Sequence, residues 1–404
     1  MKHISGGVCA PLGFIAGGIH CGIRHNRTKK DLMMIVADDI CTAASVYTQN
    51  LAAGAPILVT KKHLQNGKAK AIITNSGIAN TSAYDGEENA KIMCEVAARI
   101  ANCDASDIIV ASTGVIGQPL PTDPILAAEN ALRESLSKNG ADCAANAIMT
   151  TDTFPKQVAI EFEIGGKICK IGAMAKGSGM INPNMATMLC FVTTDVDIDE
   201  KCLNHALKSA CDLSLNMVSV DGDTSTNDMT SILASGLAGN AKIVDFGDDY
   251  AVFENALTQI MTKLARDIAK DGEGATTLIE CVVSGAQSEK SARIIAKTII
   301  NSSLVKAAIF GKDANWGRII CAAGYAGVDF DVNLVNISFA NEIGMICVCE
   351  NGKGLPFDED LALKILECRE VQILVNLKQG TGTATAWGCD LTYDYVKING
   401  DYRT

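Results

Sequence analysis

The sequence predicts an α/β protein in which helices and strands pack in layers. Strand-like and helical segments alternate along the chain, and a glycine-linked hairpin argues against a purely parallel sheet. The 404 residues are 48% hydrophobic and 20% charged, which is the balance of a compact chain with a large core. A chain of this length holds either one large α/β unit or about two to three ordinary domains.

The first half of the chain contains the signals of three strands and two helices. The runs at 32–39, 71–77 and 108–114 are apolar and end in turn residues, which predicts buried strands. Helical periodicity appears at 87–102 and again at 122–140, where polar residues at the start are suited to capping and a glycine to termination. Helices and strands therefore alternate from the beginning of the chain.

The second half continues the alternation. Gly165 and Gly166 connect two alternating segments, which predicts a two-residue hairpin. A strand is expected directly after Thr187, a helix near 199–213, and a strand-like run over 390–400. The clearest helix carries one apolar stripe, formed by Phe253, Leu257, Ile260, Met261, Leu264 and Ile268.

Charge and cysteine usage argue against several classes of protein. The net charge of −11 repels phosphate backbones, so nucleic-acid binding is not expected. The sixteen cysteines never form C-x-x-C, which argues against zinc ribbons and redox motifs. With no secretory start and no apolar run long enough for a membrane span, the expected location is the cytoplasm, with reduced thiols in the core.

The segment "KGSGMINPNMATMLCFVTTD" (176–195) places Thr187 between a glycine- and proline-rich turn and an apolar run. A threonine hydroxyl can attack the preceding carbonyl, here that of Ala186, and shift the acyl group from nitrogen to oxygen. Hydrolysis then leaves a threonine whose free amine is a general base for its own hydroxyl. Taken alone, the pattern is more typical of a threonine that begins a strand.

Other segments offer partners for such a nucleophile. Thr113 and Gly114 end a strand, where a hydroxyl and a backbone N–H can stabilise an oxyanion. Glu273 lies between two glycines and suits a substrate ammonium, and Lys176 suits a carboxylate. Each has an ordinary structural explanation as a turn or a solvated side chain. The loop at 222–228 resembles a phosphate or metal loop in composition but lacks P-loop spacing.

Taken together, these segments resemble the ornithine acetyltransferase family, also called the arginine-biosynthesis bifunctional proteins. Seven motifs carry the resemblance and occur in the family's order from the N-terminal region to the last residue: "STGVIG", "TTDTFPK", "KGSGMINPNMATML", "DGDTSTNDM", "DGEGATT", "ANWGRI" and "AWGCDLTYDYVKINGDYRT". Their co-occurrence is far more specific than any single motif and reverses the interpretation of Thr187 as an ordinary strand residue.

The resemblance implies a reaction and a set of residues. It implies self-cleavage between Ala186 and Thr187, which gives an α chain of 1–186 and a β chain of 187–404 that together form one catalytic unit. Thr187 is then the acyl-carrying nucleophile, with Thr113 and Gly114 as the oxyanion hole. The substrate contacts that carry over are Thr150 or its neighbour Thr151, Lys176, Thr187, Glu273, Asn399 and Thr404.

The implied activity is ping-pong transfer of an acetyl group from N2-acetyl-L-ornithine to L-glutamate, with no metal and no cofactor. Some family members also use acetyl-CoA to acetylate glutamate, and the sequence leaves open whether this chain accepts it as a co-substrate. The implied fold is a four-layer αββα sandwich with a smaller α/β region, as in the L-aminopeptidase D-esterase group, and the implied assembly is an α2β2 heterotetramer. Two alternatives remain: a threonine-nucleophile aminopeptidase or amidase, and a non-catalytic protein in which Thr187 only begins a strand.

Overall fold

A computed structural model describes residues 1–26, 28–182 and 188–401. The chain divides into two compact units. Unit 1 comprises Met1–Gly177, Pro183–Asn216 and Thr224–Leu264, and unit 2 comprises Ser178–Asn182, Met217–Asp223 and Ala265–Thr404. Among the described residues, none of the helices combines the length and the apolar composition that a membrane crossing requires.

The described part of the chain alternates between strands and helices throughout. The strands are β1 (Lys2–Ile4), β2 (Phe14–Ile19), β3 (Leu32–Tyr47), β4 (Lys68–Ile78), β5 (Ile108–Val115), β6 (Lys156–Ile164), β7 (Lys167–Lys176), β8 (Leu189–Thr194), β9 (Val218–Ser219), β10 (Met229–Ala234), β11 (Leu278–Ala286), β12 (Asn336–Asn341), β13 (Gly344–Glu350), β14 (Lys353–Gly354), β15 (Glu370–Asn376) and β16 (Gly382–Cys389).

The helices are α1 (Ala55–His63), α2 (Gly86–Ala101), α3 (Asp123–Ala127), α4 (Glu129–Ser135), α5 (Ala141–Ile148), α6 (Glu200–Leu213), α7 (Asp248–Lys270), α8 (Glu289–Asn301), α9 (Ser303–Phe310), α10 (Trp316–Gly324), α11 (Glu359–Leu366) and α12 (Tyr393–Gly400). The six apolar residues of the predicted stripe all lie on α7 and are buried.

Unit 1 contains a nine-stranded mixed sheet. Its order is β1-β6-β7-β8-β10-β3-β4-β5, and β2 pairs with β3 in addition. The β6–β7 hairpin turns at Gly165 and Gly166, whose φ angles of 56° and 76° are the left-handed values that such a turn requires. The β4–β5 and β8–β10 pairs are parallel, whereas their neighbours in the sheet are antiparallel. The hairpin prediction is confirmed.

Helices cover both faces of the unit 1 sheet because strand residues alternate between them. On β3, Met33 and Ile35 face a cluster that includes residues of α5, while Leu32 and Met34 face one that includes residues of α2. Unit 2 contains a second mixed sheet of seven strands, in the order β14-β13-β12-β15-β11-β16-β9. There, α8 packs against β11 and β16. The predicted layered α/β class is confirmed.

Two sequence-based assignments are corrected. The run 390–400 is not a strand: Tyr393–Gly400 forms α12, which begins where the Thr392 hydroxyl accepts a hydrogen bond from the Tyr395 N–H. The alternation of large and polar residues misled because this helix is largely exposed, with no residue fully buried, so it needs no apolar stripe. The single helix expected over 122–140 is two short helices, α3 and α4, which meet at Ala128.

Candidate functional site

Thr113 and Gly114 lie at the end of β5, where this strand runs parallel to β4. Gly114 pairs with Gly77 and has a φ of 135°, a conformation that residues with a Cβ rarely adopt. A Cβ at Gly114 would lie 2.2 Å from the carbonyl carbon of Gly77. Glycine is therefore required at position 114 for two reasons, the backbone conformation and the close approach of the neighbouring strand. An ordinary turn requires only the first.

Lys176 is the last residue of β7 and reaches Thr113. Its ammonium donates a hydrogen bond of 3.4 Å to the Thr113 Oγ1, although the strands that carry the two residues are not neighbours in the sheet. The lysine is 7% exposed. Burial lowers the pKa of the Lys176 ammonium, and the negative charge of Asp152 offsets part of that lowering. The predicted oxyanion residue and the predicted carboxylate-binding lysine are therefore in contact.

Asp152 organises the turn that contains Thr150 and Thr151. Its Oδ2 accepts the Thr150 N–H at 2.9 Å, and its Oδ1 accepts both the Gly177 N–H and the Lys156 ammonium at 2.7 Å. One carboxylate thus ties the turn before β6 to the residue that follows Lys176 in the chain.

The charge state of Asp152 follows from its surroundings. Its side chain and that of Lys156 are both inaccessible to solvent. Burial by itself raises the pKa of Asp152, but the charges of Lys156 and Lys176, together with hydrogen bonds from Lys156 and the Thr150 N–H, hold that pKa well below its usual range. The carboxylate is therefore ionised at neutral pH and supplies the charge that opposes the buried cations.

Asp228 is a second buried carboxyl near Lys176. It is 3% exposed, and its Oδ2 has no hydrogen-bond partner among the described residues. Burial raises the pKa of the Asp228 carboxyl well above its usual range, while Ser225 and Lys176 act in the opposite direction. Asp228 belongs to the loop whose composition resembled a phosphate or metal loop. The sequence therefore singled out this segment, but it did not predict a buried carboxyl near Lys176.

Unit 2 brings together two other predicted residues. Asn399, on α12, donates a hydrogen bond of 2.8 Å to the Glu273 Oε2. The Glu273 N–H binds the Ser178 carbonyl at 2.9 Å, and a Cβ at Gly179 would lie 2.4 Å from the Glu273 carboxylate. The Thr392 hydroxyl ties the start of α12 to the loop of Glu273 through a 2.7 Å hydrogen bond to the Gly274 carbonyl. Glu273 is therefore a buried carboxylate in a fixed position rather than a solvated turn residue.

The remaining predicted residues lie outside the described part of the chain: Ala186, Thr187 and Thr404. The described chain resumes at the buried Met188, whose carbonyl accepts the Met229 N–H at 2.9 Å. Sequence reasoning missed Asp152, Lys156 and Asp228 as charged partners. The first two are four residues apart in the sequence, but this spacing signals an ion pair only on a helix, and the segment before β6 is not helical.

Comparisons with known proteins match nearly the whole chain. The sequence profile of the ArgJ family matches residues 15–404. The chain is 49% identical over 406 residues to the arginine biosynthesis bifunctional protein ArgJ of Symbiobacterium thermophilum, and 47% identical over 405 residues to that of Caldanaerobacter subterraneus, with 100% of both proteins covered in each case. A crystal structure of the ArgJ protein from Bacillus halodurans is 47% identical, with a TM-score of 0.49, over 52% of this chain and 97% of the solved chain.

Proposed function

The chain belongs to the ArgJ family, and from this membership we propose that it transfers the acetyl group of N2-acetyl-L-ornithine to L-glutamate, giving L-ornithine and N-acetyl-L-glutamate. It is an acyltransferase of arginine biosynthesis. The observation that carries the proposal is that the family match includes every residue of the predicted site, from Thr113 to Thr404.

The proposed mechanism begins with self-cleavage between Ala186 and Thr187. The Thr187 hydroxyl attacks the acetyl carbonyl of N-acetylornithine, and its own α-amine takes the proton. The oxyanion that forms is stabilised by Thr113 and the Gly114 N–H, and ornithine leaves from an acetyl-threonine ester. The α-amine of glutamate then attacks this ester and regenerates the threonine hydroxyl.

The described geometry supports the roles assigned around this nucleophile. Lys176 contacts Thr113 and is buried, so a substrate carboxylate bound by its ammonium lies beside the oxyanion residues, where desolvation strengthens the interaction. We assign the turn of Thr150 and Thr151 to substrate binding, with Asp152 holding its backbone. Glu273, oriented by Asn399, is assigned to the side-chain ammonium of ornithine, and Thr404 to a further substrate contact.

The reaction requires no cofactor, because the acyl group passes through the threonine ester and no electron or phosphoryl transfer occurs. Use of acetyl-CoA as an acetyl donor is tested by offering it in place of N-acetylornithine in the same assay. We further propose that the working form is an α2β2 heterotetramer of the two cleavage products and that the enzyme acts in the cytoplasm, as its place in amino-acid biosynthesis suggests.

One experiment tests both cleavage and transfer. The purified protein is run on a denaturing gel and incubated with acetyl-labelled N-acetylornithine and glutamate. We expect two fragments that divide near residue 186, and label in N-acetylglutamate. Thr187→Ala is expected to give one uncleaved 42.5 kDa chain without activity. The control is Thr383→Ala, which removes an exposed hydroxyl from β16 and is expected to change neither result.

Three results would count against the proposal. Label in free acetate rather than N-acetylglutamate would favour the aminopeptidase or amidase alternative. Transfer at the wild-type rate by Thr187→Ala would remove the nucleophile assignment. An intact single chain in fully active wild-type protein would remove the self-cleavage step.

A further inference from the structure

Arg24 lies in the loop between β2 and β3, and its backbone is fixed by a buried carboxylate. Asp31, which is inaccessible to solvent, accepts the N–H groups of Cys21, Gly22 and Arg24 at 2.6, 3.2 and 2.9 Å. Three N–H groups that converge on one carboxylate hold the backbone of residues 21–24, which belongs to no helix or strand. The backbone position from which the Arg24 side chain extends is therefore set by the fold.

The side chain of Arg24 extends along the predicted oxyanion strand pair. A Cβ at Gly77 would lie 2.9 Å from the Arg24 Cγ, so the stem of the arginine packs directly on Gly77, the residue that pairs with Gly114. The guanidinium donates a hydrogen bond to the carbonyl of Met149, the residue before Thr150. Arg24 thus connects the oxyanion turn with the turn that is assigned to substrate binding.

Arg24 is also one of the charges that act on Lys176. The pKa of Lys176 is lowered first by burial, is raised by Asp152 and Asp228, and is lowered again by the positive charges of Lys156 and Arg24. Two cations that repel each other are both stabilised by an anion placed between them. Arg24 as a whole residue is half-buried, so part of its side chain reaches solvent, whereas its Nε is buried.

The two amino acids of the proposed reaction differ in their side-chain charge. Both have an α-carboxylate, which one cation can bind. N-acetylornithine adds a side-chain ammonium, which a second cation repels, whereas glutamate adds a second carboxylate, which it attracts. A guanidinium is the group best suited to this discrimination, because it stays protonated and its two parallel N–H groups match the two oxygens of a carboxylate.

We propose that Arg24 binds the side-chain carboxylate of the acceptor and makes the second half-reaction selective for an acidic amino acid. The inference rests on the proposed acetyl transfer, and it deepens that proposal by assigning acceptor specificity to a residue 163 positions away from Thr187 in the sequence. Lys176 binds the carboxylate that both substrates share, and Arg24 binds the one that only the acceptor has.

The test compares glutamate with glutamine as acceptors, because glutamine has nearly the same shape without the side-chain charge. In Arg24→Gln we expect the KM for glutamate to rise about tenfold or more, as the loss of a charge-assisted hydrogen bond predicts. The preference for glutamate over glutamine in kcat/KM is expected to fall by the same factor. Without an acceptor the enzyme stops at the acetyl-threonine ester, so a single-turnover burst of ornithine reports the first half-reaction. The N-acetylornithine concentration that gives half the maximal burst rate is not expected to rise in Arg24→Gln, because the guanidinium repels the side-chain ammonium of the donor.

Two further variants keep the test decisive. Arg24→Lys retains the positive charge but lacks the two parallel N–H groups of the guanidinium. The KM for glutamate should therefore rise by a smaller factor than in Arg24→Gln, and glutamate should remain preferred over glutamine. Arg133→Gln is the control, since this partly exposed arginine of α4 also donates to backbone carbonyls, and it should leave the glutamate preference unchanged.

The outcomes separate the two proposals. If the wild-type protein forms no N-acetylglutamate, the proposed function itself fails. If the wild type does form it and Arg24→Gln keeps the full preference for glutamate, only the role of Arg24 is overturned. Should Arg24→Gln prove insoluble, an unchanged KM for glutamate in Arg24→Lys overturns the role in its place.

Discussion

Replacing Asp152 by alanine removes the charge that opposes the buried Lys156. The two side chains are inaccessible to solvent and 2.7 Å apart, and the same carboxylate accepts the N–H groups of Thr150 and Gly177. Removing one partner of a buried ion pair costs about 3–5 kcal/mol, because the other charge stays in a poorly polarisable interior. We therefore expect Asp152→Ala to lower the free energy of unfolding by this amount.

Urea unfolding followed by circular dichroism measures the effect. With a slope of about 3 kcal/mol per molar urea, the midpoint of the unit 1 transition should fall by about 1–2 M. The matched control is Glu161→Ala, which removes a carboxylate paired at 3.2 Å with the largely exposed Lys2. A surface pair contributes about 0–1 kcal/mol, so the midpoint of this control should barely move.

The dependence on pH provides an independent check. The pKa of Asp152 is held below its usual range in the folded protein, so the carboxylate stabilises the fold at any pH above its unfolded pKa of about 3.9. That stabilisation is lost as the pH falls towards the folded pKa. The difference between wild type and Asp152→Ala should therefore be complete at pH 7 and shrink below about pH 4. Equal midpoints for Asp152→Ala and Glu161→Ala at pH 7 would refute the reasoning.

Two more predictions concern the predicted oxyanion turn and its lysine. Gly114→Ala should abolish activity and lower the free energy of unfolding by at least about 1–3 kcal/mol, because its Cβ would overlap the neighbouring strand. The control is Gly117→Ala, because Gly117 also has a positive φ but no heavy atom lies within 4 Å of the added Cβ. In thermal unfolding this control should lower the free energy by only about 1 kcal/mol. The pKa of Lys176 is lowered from the value of about 10.4 that an exposed lysine has. We therefore expect kcat/KM to fall as the pH rises through this lowered pKa, because the ammonium loses its charge. Lys176→Arg should remove this fall, because a guanidinium stays protonated. A basic limb that is unchanged in Lys176→Arg would exclude the lysine as its origin.

The parts of the fold that the sequence predicted are those fixed by local patterns. The stripe on α7 and the turn at Gly165 and Gly166 follow from residues within a few positions of each other, and both predictions are confirmed. The prediction of a strand at 390–400 was wrong. The position of α12 depends on distant contacts, such as that between Thr392 and Gly274, rather than on its own periodicity.

The candidate site divides in the same way. The turn at Thr113 and Gly114 ends a strand that the sequence predicts, so its location could be predicted too. The environment of Lys176 could not be predicted, because Thr113 is 63 positions away from it along the chain and Arg24 binds a carbonyl 125 positions from its own. Burial and charge at such a site depend on which strands become neighbours, and single-sequence patterns carry little of that information. The family resemblance supplied residues that these patterns could not.

The order of strands in unit 1 has a consequence for the two polypeptides that self-cleavage would produce. β8 and β10 follow residue 187, yet they lie between β7 and β3, which precede it. The downstream fragment is thus interleaved with the upstream one, and dissociation would require two hydrogen-bonded ladders to open at once. Synthesis as a single precursor would therefore ensure that these strands pair correctly, and a later break before residue 187 would create a new terminus while both ladders still hold the fragments together.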